Sequence, residues 1–272
     1  DNIIHTNKKK PGTIAIWESE IGTLKDFAGE SINFARITTE FLNKYHRWLV
    51  EKNYKPTTIF KKLKKVRQII RLAIESGAMD KKQVAGFEMV RYVAPDTNCL
   101  TMDQVKHIAD NLYSGKYNGV RRLVAAYFLV ECYGGIRFSD WPKFKIEKLV
   151  DNEHFKVNTT KKGTPVYLDL SVFVSLAKVI RYIKSHGMAF NLSEKTANDE
   201  LKVIGAGIGL DFELTTHDGR RTFATLLGEL GMTTRFIADA MGVTERTAIG
   251  YIKHTVRSMR NEMEDLRRRG GM

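Results

Sequence analysis

The chain has 272 residues, and its 44 lysines and arginines outnumber its 31 aspartates and glutamates to give a net charge of +13. Hydrophobic residues make up 43% of the sequence, which excludes wholesale disorder, and the length suits one large or two smaller domains. The cysteines, Cys99 and Cys132, lie in no CxxC or Cys/His cluster, which excludes a disulfide scaffold and a cysteine-rich zinc module.

The charge and the apolar segments limit the class of partner. The positive excess favours a polyanion, with nucleic acid first and an anionic membrane surface second. The longest strictly apolar run, Leu123–Val130, is too short to span a bilayer, and the amino end lacks the hydrophobic stretch of a secretion signal. We therefore expect a soluble, intracellular protein. Because the first residue is Asp rather than Met, we also expect a processed or excised chain with a segment missing upstream.

Two helices are predicted after an amino-terminal arm. Residues 1–12 are polar and lysine-rich, which is typical of a linker or flexible arm. Thr38 or Thr39 can cap a helix over the segment FLNKYHRWLVEKN. A second helix begins at Pro56 and runs to about Ser76.

The second helix is amphipathic, with an apolar stripe opposite a strongly basic surface. Its apolar stripe comprises Ile59, Phe60, Leu63, Val66, Ile69, Ile70 and Ala73. Its cations are Lys61, Lys62, Lys64, Lys65, Arg67 and Arg71. A solvated basic face and a DNA phosphate contact are the two interpretations. The absence of any acid between Pro56 and Ile74 shifts the interpretation toward DNA contact.

A domain boundary is predicted where the helical period stops, at VRYVAPDTN (residues 90–98). Thr101 then caps a new helix with Gln104 completing a capping box, and the next helix, about Gly119–Cys132, has the composition of a buried centre. We therefore assign residues 13–94 to a helical domain, 95–98 to a linker and 99–272 to a second domain.

The second domain contains the one segment with a β pattern. Alternating apolar residues between His154 and Leu170 flank a polar turn at Lys161-Lys162-Gly163, which predicts a hairpin. Helices are predicted over 171–185, 193–203, 217–230 and 234–241, and residues 244–269 have helical character. The expected fold is mainly α with a small antiparallel β-sheet.

Arg137 and the pair His217 and Arg220 could bind a phosphate. Arg137 follows Gly134-Gly135, so a sharp turn can present its guanidinium for bidentate phosphate binding. A role as helix-dipole partner, or an ion pair with Asp140, explains it equally well. His217 and Arg220 are spaced i, i+3, so in a helix they share a face suited to a phosphate in transition. The alternative is a helix-start histidine beside an exposed arginine.

Lys161, Lys162 and Tyr251 complete the candidates. A lysine on a β-turn usually improves solubility, but with a lowered pKa it can protonate a leaving 5′-oxygen. Tyr251 has the helical neighbours of a core residue, yet a phenol can also attack phosphorus and form a covalent phosphodiester. Because no metal-binding carboxylate cluster accompanies it, the pattern favours catalysis by cations and a side-chain nucleophile over a two-metal hydrolysis.

The order of these pieces resembles the tyrosine recombinases, the phage and transposon integrase family. GGIRFSD is similar to the family's Gly-x-Arg-x-Ser-Glu/Asp segment, and TTKKGTPVYLDL resembles its lysine hairpin. THDGRRTFAT is similar to its HxxRHTFAT helix, and MGVTERTAIGYIKH resembles its Leu-Gly-His…Tyr segment. The resemblance extends over essentially the whole chain.

By this resemblance the chain is a site-specific DNA recombinase, or integrase, of a phage or other mobile genetic element. It implies that Tyr251 attacks the scissile phosphate to leave a 3′-phosphotyrosyl link, that Arg137 and Arg220 clamp the phosphate, and that His217 assists. Lys161 would protonate the leaving oxygen, with Lys162 in its place if the hairpin register differs by one. The resemblance also implies that the reaction needs no metal or other cofactor.

The resemblance also implies a two-domain DNA clamp, in which residues 13–94 bind the core site and residues 99–272 catalyse. The expected partners are double-stranded DNA, three further copies in a tetramer that exchanges strands through a four-way junction, and DNA-bending accessory proteins. Residues 255–272 are where subunit docking is expected, and an arm-binding domain is the segment expected upstream. The expected location is the cytoplasm of a bacterial or phage-infected cell, with the nucleoid.

Two departures from the family pattern stand out. Val243 follows Met241-Gly242, eight residues before Tyr251, whereas the family usually has His or Trp nine residues before its nucleophile. Arg221 stands where many members have His. The alternatives to a recombinase are a non-catalytic DNA-binding accessory or regulatory protein and a type IB topoisomerase-like enzyme.

Overall fold

The computed structural model describes residues 11–89, 97–143, 154–158, 165–253 and Arg267. Contacts within the chain divide it into two compact units, Asp1–Pro95 and Asp96–Met272. The predicted linker, residues 95–98, falls at this division. Each unit has its own hydrophobic core.

The first unit is helical. Its helices are α1 (Pro11–Ala28), α2 (Thr39–Glu51) and α3 (Pro56–Glu75), with 3-10 turns at Phe34–Arg36 and Lys81–Val84. The hydroxyl of Thr38 accepts a hydrogen bond from the Phe41 amide at 3.2 Å and so caps α2, while Pro56 occupies the first turn of α3. Buried side chains of α2 and α3 pack together with Leu24 of α1.

Helix α1 is not predicted by the sequence, and it begins at Pro11, inside the predicted arm. Gly12 and Gly22 lower its intrinsic helix propensity, so tertiary contacts must stabilise it. Trp17 provides one such contact, since its side chain is only 2% exposed and the Lys65 ammonium lies 4.2 Å from its ring centroid.

The contacts of α1 also correct one predicted DNA contact. Lys62 is 6% exposed, and its ammonium donates to Glu20 at 3.1 Å and to the Thr23 hydroxyl at 2.8 Å, both on α1. Lys62 therefore joins α3 to α1 and does not present its charge to a phosphate. The error followed from the missing α1, because without Glu20 every cation of α3 looked solvent-facing.

The second unit surrounds one buried helix. Its elements are α4 (Met102–Tyr113), α5 (Gly119–Gly134), a 3-10 helix (Phe138–Lys143), β1 (His154–Asn158), β2 (Pro165–Asp169), α6 (Val174–Ser185), α7 (Glu194–Gly207), α8 (Thr216–Glu229), α9 (Thr234–Met241) and α10 (Glu245–Ile249). Helix α5 contacts α4, α6, α7 and α8 and is buried along most of its length. Strands β1 and β2 pair antiparallel, with Lys156 opposite Tyr167. Among the described helices, none combines the length and the apolar character needed to cross a bilayer.

The structure tests one predicted capping box and two predicted helix ends. The predicted capping box of Thr101 and Gln104 is confirmed in α4. Helix α7 continues past the predicted end at Val203 to Gly207, and its last turn packs at Gly205 so close to Leu214 that an added methyl group would be crowded. Of the segment 244–269, for which helical character is predicted, the structure describes α10 over Glu245–Ile249 and Tyr251 in a turn, while residues 254–266, 268 and 269 lie outside the described residues.

Candidate active site

Three segments of the second unit bring the candidate residues together. Arg137 follows the carboxyl end of α5, His217 and Arg220 lie in the first turns of α8, and Tyr251 follows α10. Helices α5 and α8 can approach closely because Gly135 has no side chain. Its backbone is left-handed, with φ of 63°, and a methyl group there would overlap the ring of Phe223 on α8.

We expect Gly135→Ala to lower the free energy of unfolding by about 2–5 kcal/mol, since left-handed strain of about 1–2 kcal/mol adds to overpacking of about 1–3 kcal/mol. Gly187→Ala is a matched control, because Gly187 has a similar φ of 57° but nothing within 4 Å of an added methyl group. Urea denaturation measures both, and equal losses would show that the Phe223 contact contributes nothing.

Backbone oxygens at two helix ends hold Arg220. The side chain is 1% exposed, Nη1 donates to the Gly135 carbonyl, and Nη2 donates to the Met241 carbonyl at 2.8 Å. These oxygens lie at the carboxyl ends of α5 and α9, where the helix dipole favours a cation. The buried Nε has no hydrogen-bond partner among the described residues.

Arg137 adds a second cation near Arg220. The pKa of Arg220 is lowered first by burial and then by the positive charge of Arg137, with Tyr251 acting in the opposite direction. Nη1 of Arg137 is buried and has no hydrogen-bond partner among the described residues. Asp140, the alternative ion-pair partner, accepts from the Arg137 backbone amide at 3.4 Å. Two neighbouring guanidinium groups with unused donors suit an anion.

Tyr251 lies beside both His217 and Arg220. Its ring centroid is 5.4 Å from that of His217, and the guanidinium carbon of Arg220 is 5.3 Å from the Tyr251 ring. Tyr251 packs against the core but remains partly exposed. This position is compatible with both interpretations of the sequence, a core residue and a nucleophile.

The side chain of His217 is exposed, whereas Arg137 and Tyr251 are partly buried and Arg220 is buried. Its pKa is lowered, first because neighbouring groups displace water from the imidazole and next because of the positive charge of Arg221; Asp218 and Glu194 oppose this. The neutral imidazole therefore predominates at neutral pH, and it can accept a proton or donate a hydrogen bond.

The amino end of α8 contains positioning contacts that the sequence interpretation missed. The Asp218 carboxylate accepts from the Thr215 amide at 2.8 Å and from the Thr215 hydroxyl at 2.7 Å. The Thr216 amide donates to Asn198 of α7 at 2.9 Å. The capping-box spacing of Thr215 and Asp218 was the signal available in the sequence, whereas nothing in the sequence pointed to Asn198.

The remaining positions that the sequence analysis singled out are the two hairpin lysines and Val243. Lys161 and Lys162 lie outside the described residues, which resume at Pro165 of β2. Val243 is partly buried and lines an apolar groove of about 570 Å³ with Phe173 and Phe236, so the side chain at 243 offers no donor. Within the described ranges, no cluster of His, Cys, Asp or Glu could hold a metal ion.

The basic helix α3 presents four of its six cations to solvent. The exposed ones are Lys61, Lys64, Arg67 and Arg71. Three of them, Lys64, Arg67 and Arg71, border a groove of about 800 Å³ with an apolar floor, and Arg71 also pairs with Glu75 at 3.4 Å. Lys65 is partly buried against Trp17.

Two guanidinium groups, an imidazole and a phenol have, together, the chemistry to bind a phosphodiester and attack it. The family profile described as "Phage integrase family" matches residues 98–256, and the profile described as "Phage integrase SAM-like domain" matches residues 2–89. The chain belongs to the phage integrase family, the tyrosine recombinases, and is a site-specific DNA recombinase.

Solved integrase structures have the same fold. A lambda integrase dimer bound to a COC′ core site is 18% identical with a TM-score of 0.75, and the match covers 94% of this chain and 93% of that one. The Tn1549 transposon integrase in complex with transposon right end DNA is 16% identical with a TM-score of 0.73, covering 97% and 96%. A lambda integrase tetramer bound to a Holliday junction is 18% identical with a TM-score of 0.74, covering 93% and 74%. No curated protein sequence matches the chain.

Proposed function

We propose that the chain cuts and rejoins DNA through a covalent bond between Tyr251 and a 3′-phosphate. The observation that carries this proposal is the contact of the Tyr251 ring with His217 and Arg220, at 5.4 and 5.3 Å. A phenol beside a permanent cation can approach a phosphate that the cation holds.

Each candidate residue then has one task. The phenolic oxygen of Tyr251 forms a bond to phosphorus, and the bond from phosphorus to the 5′-oxygen breaks. Arg137 and Arg220 stabilise the charge on the phosphate oxygens, and His217, kept neutral, assists as acid/base or hydrogen-bond donor. Lys161 protonates the leaving 5′-oxygen, with Lys162 as the alternative. A 5′-hydroxyl of the partner strand reverses these steps to rejoin the DNA.

The two units would hold duplex DNA as a clamp, with residues 13–94 contacting the core site and residues 99–272 supplying catalysis. Four copies would act together on paired sites, with DNA-bending proteins as accessory partners. The lambda integrase tetramer bound to a Holliday junction, which shares the fold, supports this assembly.

A nicked suicide duplex tests the proposal. The duplex carries the recombination site, identified by sequencing the DNA that flanks the coding region. A nick just downstream of the cleavage point lets the short fragment with the new 5′-hydroxyl dissociate, so the covalent adduct accumulates. We expect an adduct whose DNA is attached to the peptide containing Tyr251. Binding without an adduct would support a non-catalytic DNA-binding protein, and relaxation of supercoils without joining of two sites would support a topoisomerase.

A separate prediction concerns the contribution of the exposed cations of α3 to DNA affinity. We expect Lys64→Gln to weaken binding at all sequences and to reduce the slope of log K against log salt by about one, since each neutralised phosphate releases about one counterion. Lys62→Met is the matched control: it should leave the slope unchanged and lower the free energy of unfolding by about 1–3 kcal/mol through the loss of its bonds to α1. Fluorescence anisotropy over a salt series measures the slopes, and the reverse pattern would contradict the assignment.

A further inference from the structure

Glu131 is a buried acid that the proposed reaction does not use. It lies in the last turn of α5, its side chain is 1% exposed, and Oε2 has no hydrogen-bond partner among the described residues. An ionised carboxylate in such a place would cost several kcal/mol unless it were paired, so its protonation state and neighbours require an explanation.

Glu131 lies between the backbone at Gly135, whose carbonyl holds Arg220, and the backbone of α8 at Gly219. Its carbonyl accepts from the Gly135 amide at 2.8 Å, and the Gly135 carbonyl in turn accepts from Arg220. On the other side, a methyl group on Gly219, the residue before Arg220, would lie 3.1 Å from Cγ of Glu131. The side chain therefore packs against the backbone of α8 immediately before Arg220.

The charged groups that act on Glu131 come from three elements. Arg220 and Asp218 belong to α8, Asp140 to the 3-10 helix after α5, and Glu194 to α7. Burial raises the pKa of Glu131 well above its usual range, Arg220 opposes this, and the three acids raise it further. The neutral form is therefore favoured, with two of its acidic neighbours already engaged in hydrogen bonds to the backbone.

We propose that Glu131 is a positioning residue that acts as a neutral acid: its uncharged carboxyl fills the space behind Arg220 and leaves the full guanidinium charge of Arg220 for the scissile phosphate. This inference rests on the proposed function, because it assigns Arg220 to the phosphate. An ionised Glu131 would act as a counter-charge to Arg220 and would compete with the DNA for it.

The proposal predicts that the free energy of unfolding changes with pH in a definite direction. A carboxyl whose pKa is higher in the folded than in the unfolded state contributes stability that is complete below the unfolded pKa and is lost as the pH rises through the folded pKa. Glu131→Gln keeps the shape of the neutral acid and removes the titration.

The first experiment measures unfolding by urea between pH 5 and 9.5 for the wild type, Glu131→Gln and a control, Asp199→Asn, which changes an exposed acid of α7. We expect the wild type to lose stability relative to Glu131→Gln as the pH rises, and Asp199→Asn to follow the wild type. A wild type that instead loses stability relative to Glu131→Gln toward acid pH would show an ionised Glu131 and overturn the proposal. This measurement requires no DNA.

The second experiment measures the rate of adduct formation on the suicide duplex over the same pH range. We expect Glu131→Gln to react within about threefold of the wild type at neutral pH, and the ratio of wild-type to Glu131→Gln rates to fall by about tenfold per pH unit once Glu131 ionises. The titration of groups other than Glu131 cancels in this ratio, because both proteins share those groups. Glu131→Ala, which cannot fill the space, should be slow at every pH.

The outcomes separate the two proposals. A ratio that stays constant while the stabilities diverge would show that Glu131 titrates without affecting Arg220, and would leave it a structural residue only. A wild type that forms no adduct at any pH would overturn the proposed function and, with it, the positioning role of Glu131, whatever the unfolding data show.

Discussion

Tyr251→Phe is expected to reduce covalent adduct formation by about 10³-fold or more while leaving DNA affinity within about twofold of the wild type. The substitution removes only the phenolic oxygen, and the phenylalanine ring can keep the contacts with His217 and Arg220. Denaturing gel electrophoresis of the reaction with the suicide duplex measures the adduct, and anisotropy measures the affinity.

Tyr113→Phe is the matched control for this prediction. Tyr113 is also partly exposed and lies in the second unit, its ring contacts Tyr182 at 5.4 Å, and burial raises the pKa of its phenol to about 12. The Tyr113→Phe variant should form the adduct at the wild-type rate. Adduct formation by Tyr251→Phe, or its loss in both variants, would contradict the assignment of Tyr251 as the nucleophile.

Arg220→Lys is expected to slow adduct formation by about 10²–10³-fold, the usual effect of removing one preorganised donor to a reacting oxyanion. A single ammonium cannot donate to the Gly135 and Met241 carbonyls and also present a planar pair of donors to a phosphate. The free energy of unfolding should fall as well, by about 1–3 kcal/mol for each carbonyl that loses its donor.

The neighbouring residue supplies the control. Arg221→Lys changes the next arginine of α8, which is partly exposed and pairs with Asp218 at 3.2 Å. We expect its adduct rate to stay within about threefold of the wild type. Equal losses in the two variants would show that Arg220 has no special place at the phosphate, and single-turnover rates at saturating protein distinguish this from weaker DNA binding.

Short-range sequence signals predicted the helices with clear periodicity and capping residues. They did not predict contacts between elements that are far apart in the sequence. Helix α3 and the capping box of α4 follow from periodicity and capping residues, which act over a few positions. Helix α1 lacks such signals and depends on Trp17 and on the bond between Glu20 and Lys62. Tertiary contacts decide whether α1 forms, so the sequence did not predict it. Without α1, Lys62 was wrongly assigned to DNA contact.

The same distinction applies to the candidate site. The residue types of Arg137, His217, Arg220 and Tyr251 were available as motifs, whereas their proximity depends on how closely α5 and α8 pack. The burial of Glu131 and the bond from Thr216 to Asn198 arise from packing between helices, for which a single sequence carries no local pattern. The DNA contacts and catalytic roles proposed for the lysines, including Lys161 and Lys162, stay predictions.

The anchoring of Arg220 by main-chain oxygens has a consequence for how this sequence can diverge. A carbonyl belongs to every amino acid, so replacement of the side chain at position 241, where the family motif has Leu and this chain has Met, leaves the acceptor in place. Natural variation can therefore alter much of the surrounding composition without displacing the guanidinium. Main-chain anchoring of this kind depends on the positions of the helix ends, which belong to the fold, and the fold is shared with solved structures that are less than one-fifth identical.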